Sequence, residues 1–305
     1  MSGPLRLGTR GSALALAQAR LVADALPGEV QLVEIVTSGD RQSATGLQNP
    51  EIPRLSQPTP GGGDKERWVR ELDAALLDGR IDLAVHSAKD VPAELADGVA
   101  LVAAPPRGDP RDALCGAPSL DALAPGARVG TSSLRRAAQL RALREDLEMA
   151  ELRGNVDTRL AKLRDGAYDA IVLALAGLER LGRGGEADGV LDELVPAAGQ
   201  GVLALCSRDG DDAARAAAGA ILDEEAMACL LAERALVRAL DADCHTPVGA
   251  HATRDGGTLR LRAFVGAADG SAWVRDELTG ADPEALGAEV GSRLLAAGAA
   301  EVLGR

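Results

Sequence analysis

Short β-patterned runs alternate with helical patterns through most of this chain, and that alternation limits its fold more than any other feature. Residues 5–8 (LRLG) read as a strand and residues 12–26 as an amphipathic helix capped by Ser12. Residues 30–38 form the next strand, a helix is predicted over 64–78, and IDLAVHS (81–87) is again a strand. A second set begins after the PPRGDPRD run at 105–112, with strands near 127–130, 147–152 and 168–174 and helices over 133–144 and 155–165. Strands and helices in alternation pair in parallel through βαβ crossovers, so an α/β fold with two such sheets is expected. VPAAGQG (195–201) reads as a Pro/Gly hinge. Beyond it a helix over 223–241, three strand-like runs at 248–254, 258–265 and 272–278, and a closing helix over 282–303 predict a small α+β domain. The polar Gly/Pro-rich stretch 39–63 is too long for a plain connector and reads as a lid loop.

Composition removes several function classes. The net charge of −13 argues against a nucleic-acid surface or an anionic membrane as main partner, while leaving room for a local basic pocket. Trp68, Tyr168, Phe264 and Trp273 are the only aromatic residues, too few for base-stacking platforms. The N-terminus MSGPLRLGTRGS lacks the basic and apolar regions of a signal peptide, and no apolar run reaches membrane-spanning length, so a cytoplasmic protein is expected. Cys115, Cys206, Cys229 and Cys244 are widely spaced without a CxxC pair, and with three histidines they make no metal-binding pattern. Neither a disulfide framework nor a metal is expected.

The chemistry collects at strand-to-helix turns. In open α/β sheets these are the ligand sites, because helix N-termini present free N–H groups and a positive dipole there. The turns are Thr9-Arg10-Gly11-Ser12, Thr37-Ser38-Gly39-Asp40, His86-Ser87-Ala88-Lys89-Asp90, Gly130-Thr131-Ser132-Ser133 leading to Arg135 and Arg136, and Arg153-Gly154-Asn155 leading to Arg159. A single such turn is an ordinary cap. Five at one topological edge, with arginines in first helical turns where they oppose the dipole, point to a ligand bearing several carboxylates or phosphates. Asp90 stands alone as a carboxylate among these cations. It reads either as a stabiliser of positive charge developing in a reaction or as one half of a salt bridge. His86 reads as a buried hydrogen-bonding histidine rather than a base. Cys244 opens CHTPVG after a helix: a loop thiol beside cations is a nucleophile, and a thiol turned inward is only a small hydrophobe. The other three cysteines lie in strand or helix patterns and read as buried.

The ordered segments HSAKDVP (86–92), VGTSSLRR (129–136), LRGNVDTRL (152–160), LALAGLERLG (173–182), PAAGQG (196–201) and the cysteine loop from 244 resemble the hydroxymethylbilane synthases, or porphobilinogen deaminases, over nearly the whole chain. The resemblance implies two domains like the halves of a periplasmic binding protein and a third bearing the cysteine. Mapped here, these are 1–104 with 201–222, then 105–200, then 223–305. It implies a transferase of tetrapyrrole, porphyrin and heme biosynthesis, monomeric, that condenses four porphobilinogen units head to tail with loss of ammonia. A dipyrromethane primer held by a thioether starts the chain, and hydrolysis frees hydroxymethylbilane. By position, Asp90 matches the catalytic aspartate and Cys244 the primer cysteine. Lys89, Ser87, Thr131, Ser132, Ser133, Arg135, Arg136, Arg153, Gly154 and Asn155 match cofactor-binding positions. Arg10, Ser12, Arg159, Arg180 and Gln200 match substrate-binding ones. The resemblance breaks at Gly63-Asp64-Lys65-Glu66-Arg67-Trp68, where Lys65 stays in register but Glu66 and Arg67 replace a glycine and a leucine. A dicarboxylate-binding protein without catalysis, and a family relative slowed by its altered lid, are the competing readings.

Overall fold

A computed structural model describes residues 3–36, 64–243 and 245–305, of which 64–68 by their backbone only. The turn at Thr37–Asp40, the lid loop 39–63, the side chains of Lys65 and Trp68, and Cys244 therefore lie outside the described residues. In chain order the elements are β1 (Leu5–Thr9), α1 (Ala13–Ala25), β2 (Val30–Glu34), α2 (Asp64–Leu77), β3 (Leu83–Ser87) and β4 (Val99–Ala103). Then come β5 (Asp112–Cys115), β6 (Arg128–Gly130), α3 (Leu134–Leu143), β7 (Glu148–Ala150), α4 (Val156–Arg164), β8 (Ala170–Ala174), α5 (Leu175–Arg180) and β9 (Gly189–Leu191). The last are β10 (Leu203–Arg208), α6 (Asp212–Gly219), α7 (Glu224–Ala239), β11 (Val248–Asp255), β12 (Thr258–Gly266), β13 (Trp273–Gly280), α8 (Pro283–Ala296) and α9 (Ala299–Val302).

The chain forms two compact units, one of residues 1–86, 90–103 and 204–222, the other of 87–89, 104–203 and 223–305. The first is built on the sheet β2-β1-β3-β10-β4, in which β1 runs parallel to both β2 and β3. Its core gathers Leu72, Leu76, Ile81 and Ala84. The second holds the sheet β7-β6-β8-β5-β9, with β6 parallel to β7 and β8. Both faces of that sheet are covered: Leu114, Val129 and Val172 pack on one side, Ala113, Ile171 and Leu178 on the other. This is why the central strand β8 is a continuous apolar run rather than an alternating one. The same unit contains the antiparallel meander β11-β12-β13, whose core joins Leu236 of α7, Leu261 of β12, and Val290 and Leu294 of α8. The α/β class expected from the sequence is the observed one, with the small α+β element at its C-terminal end.

Two differences have physical reasons. The closing helix is two helices, because Gly298 takes φ +93 between α8 and α9, the left-handed turn that ends many helices. Strands β4, β5, β9 and β10 are additional. They are short, and β5 and β10 are buried almost throughout, so no period-2 alternation marks them.

Candidate active site

In the first unit the parallel strands β1 and β3 end at one edge of their sheet. β1 runs into Arg10 and Gly11, and Ser12 caps α1, accepting from the Ala15 amide at 3.3 Å. β3 runs through His86 to Ser87 and then into a single 3-10 turn, Ala88–Asp90, that carries Lys89 and half-buried Asp90. Burial pushes the His86 imidazole down to about 4, with the Asp90 carboxylate pulling the other way and Arg10 adding to the fall. Arg10, His86 and Asp90 thus share one electrostatic neighbourhood. His86 is buried, and its Nε2 has no hydrogen-bond partner among the described residues.

This has a measurable consequence. An unfolded histidine takes up its proton near 6.5, so native stability contributed by neutral His86 is full above that pH and is lost as pH falls towards about 4. A ¹⁵N NMR titration should show His86 neutral at pH 5; a half-protonated ring at pH 6 would contradict its burial.

In the second unit the turns after β6 and β7 come together. Ser133 caps α3, its Oγ accepting from the Arg136 amide at 3.4 Å, while Thr131 Oγ1 accepts from the Ser133 amide at 3.2 Å. Asn155 caps α4, accepting from the Thr158 amide at 2.9 Å, and Gly154 before it adopts φ +118. Arg159 ties the two turns, donating from Nε to the Gly154 carbonyl at 2.7 Å and from Nη2 to Ser132 Oγ at 3.5 Å. The Arg153 side chain is 80% exposed and donates from Nε to Glu151 at 2.6 Å. Ser132, Gly154, Asn155, Arg153 and Arg159 therefore form one cationic corner.

Arg135 and Arg136 point elsewhere. Both are buried and both pair with fully buried Asp112: Arg135 Nη1 lies 2.8 Å from Oδ2 and Arg136 Nη2 lies 2.7 Å from Oδ1. Burial alone would raise the Asp112 carboxyl, but the charges of Arg135 and Arg136 outweigh it and hold the group below the usual carboxylate range.

Arg180 and Gln200 are drawn to the hinge segment 195–201. Arg180 Nη2 donates to the Gly201 carbonyl at 2.5 Å, and Gln200 Nε2 donates to the Pro110 carbonyl at 2.6 Å and to Asp112 at 2.8 Å. Gly201 has φ +86, and a Cβ there would sit 2.4 Å from the Gly108 carbonyl oxygen. Gly201→Ala should therefore cost about 1–3 kcal/mol in urea unfolding; a wild-type midpoint would rule out that strain.

Asp112 and Glu233 escape a reading of the sequence. Asp112 sits in a Pro/Arg-rich run that looks like punctuation, although a carboxylate opening the buried strand DALC is a signal. Glu233 lies four residues after Cys229 and three before Leu236, on the buried stripe of α7, and that spacing marks it as an acid facing inward.

Comparison with known proteins fits this arrangement. Residues 5–216 match the family model described as porphobilinogen deaminase, dipyromethane cofactor binding domain, and residues 227–296 match the one described as porphobilinogen deaminase, C-terminal domain. The chain belongs to the porphobilinogen deaminase family. A porphobilinogen deaminase of Sorangium cellulosum is 47% identical over 309 residues, covering 96% of this chain and 99% of that protein. One from Stenotrophomonas maltophilia is 49% identical over 311 residues, 98% of each chain. Among solved structures, an arginine-specific periplasmic binding protein of Salmonella typhimurium is similar at a TM-score of 0.40 and 12% identity, over 74% of this chain and 94% of that one.

The residues present suit the dipyrromethane that a porphobilinogen deaminase carries. Two buried guanidiniums against one carboxylate leave a positive charge over, and Arg135 Nε is a buried donor without an acceptor. A group bearing carboxylates fits such a cluster. Asp243 Oδ1 accepts from the His245 amide at 2.9 Å and from Thr246 Oγ1 at 2.7 Å. Cys115, Cys206 and Cys229 are buried, as their patterns predict. Burial, with acidic neighbours, pushes the Cys115 thiol up to about 12 and the Cys229 thiol up to about 11. Neither is a nucleophile at neutral pH. Among the described residues no helix is long and apolar enough to cross a membrane.

Proposed function

We propose that the chain acts as a hydroxymethylbilane synthase with Cys244 as the attachment point of its dipyrromethane and Asp90 as its catalytic carboxylate. The enzyme is a transferase that joins four porphobilinogen units head to tail, releases one ammonia for each, and frees hydroxymethylbilane by hydrolysis. When bound, the dipyrromethane supplies the pyrrole α-carbon to which the first unit is joined. The chain's own residues have three tasks. Arg10 and Ser12 at one edge, and Ser132, Arg153 and Arg159 at the other, hold acetate and propionate groups by charge-assisted hydrogen bonds, and the buried Arg135/Arg136 pair adds its surplus positive charge to the second. Ser87 and Lys89 complete the first edge, Thr131, Ser133, Gly154 and Asn155 the second, and Arg180 and Gln200 brace the 195–201 segment. Asp90 accepts hydrogen bonds from pyrrole N–H groups and stabilises positive charge as each carbon–nitrogen bond breaks.

The observation that carries this reading is the excess positive charge around Arg135 and Arg136, beside a turn whose hydroxyls and helix N-terminus also favour anions. The three-part division at 104, 200 and 222, a monomeric state and a cytoplasmic site are parts of the same proposal. Intact mass spectrometry of the purified protein tests it. The mass should exceed that of the chain by two porphobilinogen units less two ammonia, and Cys244→Ser should remove the difference. An unmodified, folded wild-type protein would reject the assignment.

A further inference from the structure

Arg135 and Arg136 are neighbours in the first turn of α3, yet both turn inward to one carboxylate. Asp112 Oδ1 accepts from Arg136 Nε at 2.9 Å, from Arg135 Nη2 at 3.2 Å and from Gln200 Nε2 at 2.8 Å. The other partners of the guanidiniums are neutral: Arg135 Nη1 donates to the Val195 carbonyl at 2.7 Å and Arg136 Nη1 to the Val172 carbonyl at 3.0 Å. Among the described residues, no second carboxylate pairs with either arginine. One positive charge is left over where low polarisability strengthens every charge.

We propose that Asp112 is a positioning residue: its single negative charge holds both guanidiniums in place and sets how strongly the Thr131–Ser133 turn attracts a carboxylate of the growing chain. This rests on the reading above that the turn takes carboxylates. Without Asp112, two full charges would grip an anion too firmly for the chain to advance. With a second acid they would grip none. An enzyme that adds four units in succession needs the intermediate strength, because binding that deepens the ground state alone slows turnover.

Asp112→Asn in the holoenzyme tests this by removing the charge while keeping the size and an acceptor oxygen. The KM for porphobilinogen should fall about tenfold and kcat should fall with it, since the anion is held more tightly before each addition than in the transition state that moves the chain on. Partial chains should then accumulate on the protein in intact mass spectra. A lower melting temperature with KM unchanged or raised, and no accumulation, is the signature of a structural role and overturns the proposal. Should Asp112→Asn not fold, Asp112→Glu carries the test, because it keeps the charge on a longer stem. The longer stem displaces both guanidiniums, so KM should change severalfold, and lower stability with an unchanged KM overturns the proposal. Arg136→Leu separates this inference from the reading beneath it. If Arg136→Leu stalls while Asp112→Asn behaves as wild type, only the positioning role falls. If Arg136→Leu also elongates normally, the turn is not a carboxylate site.

Discussion

Glu233→Ala should lower the unfolding free energy by about 3–5 kcal/mol, the range for breaking a buried ion pair from one side. Glu233 is fully buried, and four donors converge on it. Its Oε1 takes Arg107 Nη1 at 2.6 Å and the Ala252 amide at 2.8 Å, and its Oε2 takes the Gly199 amide at 2.6 Å and Arg107 Nη2 at 3.4 Å. Alanine would strand two backbone N–H groups and a guanidinium whose side chain is only 13% exposed. The loss is of partners and does not measure what the pair contributes over an apolar substitute. The double variant Arg107→Met, Glu233→Leu should therefore recover part of it. Urea unfolding checks both, and a single-variant loss below about 1 kcal/mol would show that water or rearrangement satisfies these groups.

Asp90→Ala should reduce kcat by about a hundred- to a thousandfold, the cost of deleting one preorganised charge-stabilising group, while porphobilinogen still binds. The cationic corner of the second unit has supports of its own, since Arg159 is held by Gly154 and Ser132, and Arg153 by Glu151. Ammonia release reports turnover, and the mass of the protein–substrate complex reports binding. Asp90→Glu, with the carboxylate displaced, should fall between. Turnover within tenfold of wild type in Asp90→Ala would remove the catalytic role assigned to it.

Much of this arrangement is legible in the sequence because its determinants are local. Ser12, Ser133 and Asn155 cap their helices as small polar residues before an apolar stripe do, and each marks a turn at the carboxyl end of a strand. The continuous apolar runs of β3 and β8 announce buried parallel strands. What escapes depends on distant partners. Nothing near Arg135 in the chain indicates that its charge is met by Asp112, 23 residues earlier, or that Arg107 finds Glu233, 126 residues later. Arginines read as facing a ligand are, at this turn, also structural cations, and burial decides between those roles where spacing cannot. The unpartnered His86 Nε2 is likewise invisible to periodicity, which predicts burial but not the company a side chain keeps.

Along β12 the alternation of buried and exposed residues gives way, after Arg262, to four buried residues in a row. Phe264 there is wholly buried against Ala138 and Val195. Residues 227–296 match a family model of their own, but this strand makes them a poor cassette. Grafting that segment onto another member of the family would carry Phe264 to a host whose own residues at positions 138 and 195 had not been selected to receive it. Successful chimaeras should therefore be those that exchange α3 and the hinge together with the C-terminal sheet, so that inheritance follows the packing rather than the boundaries of the domain.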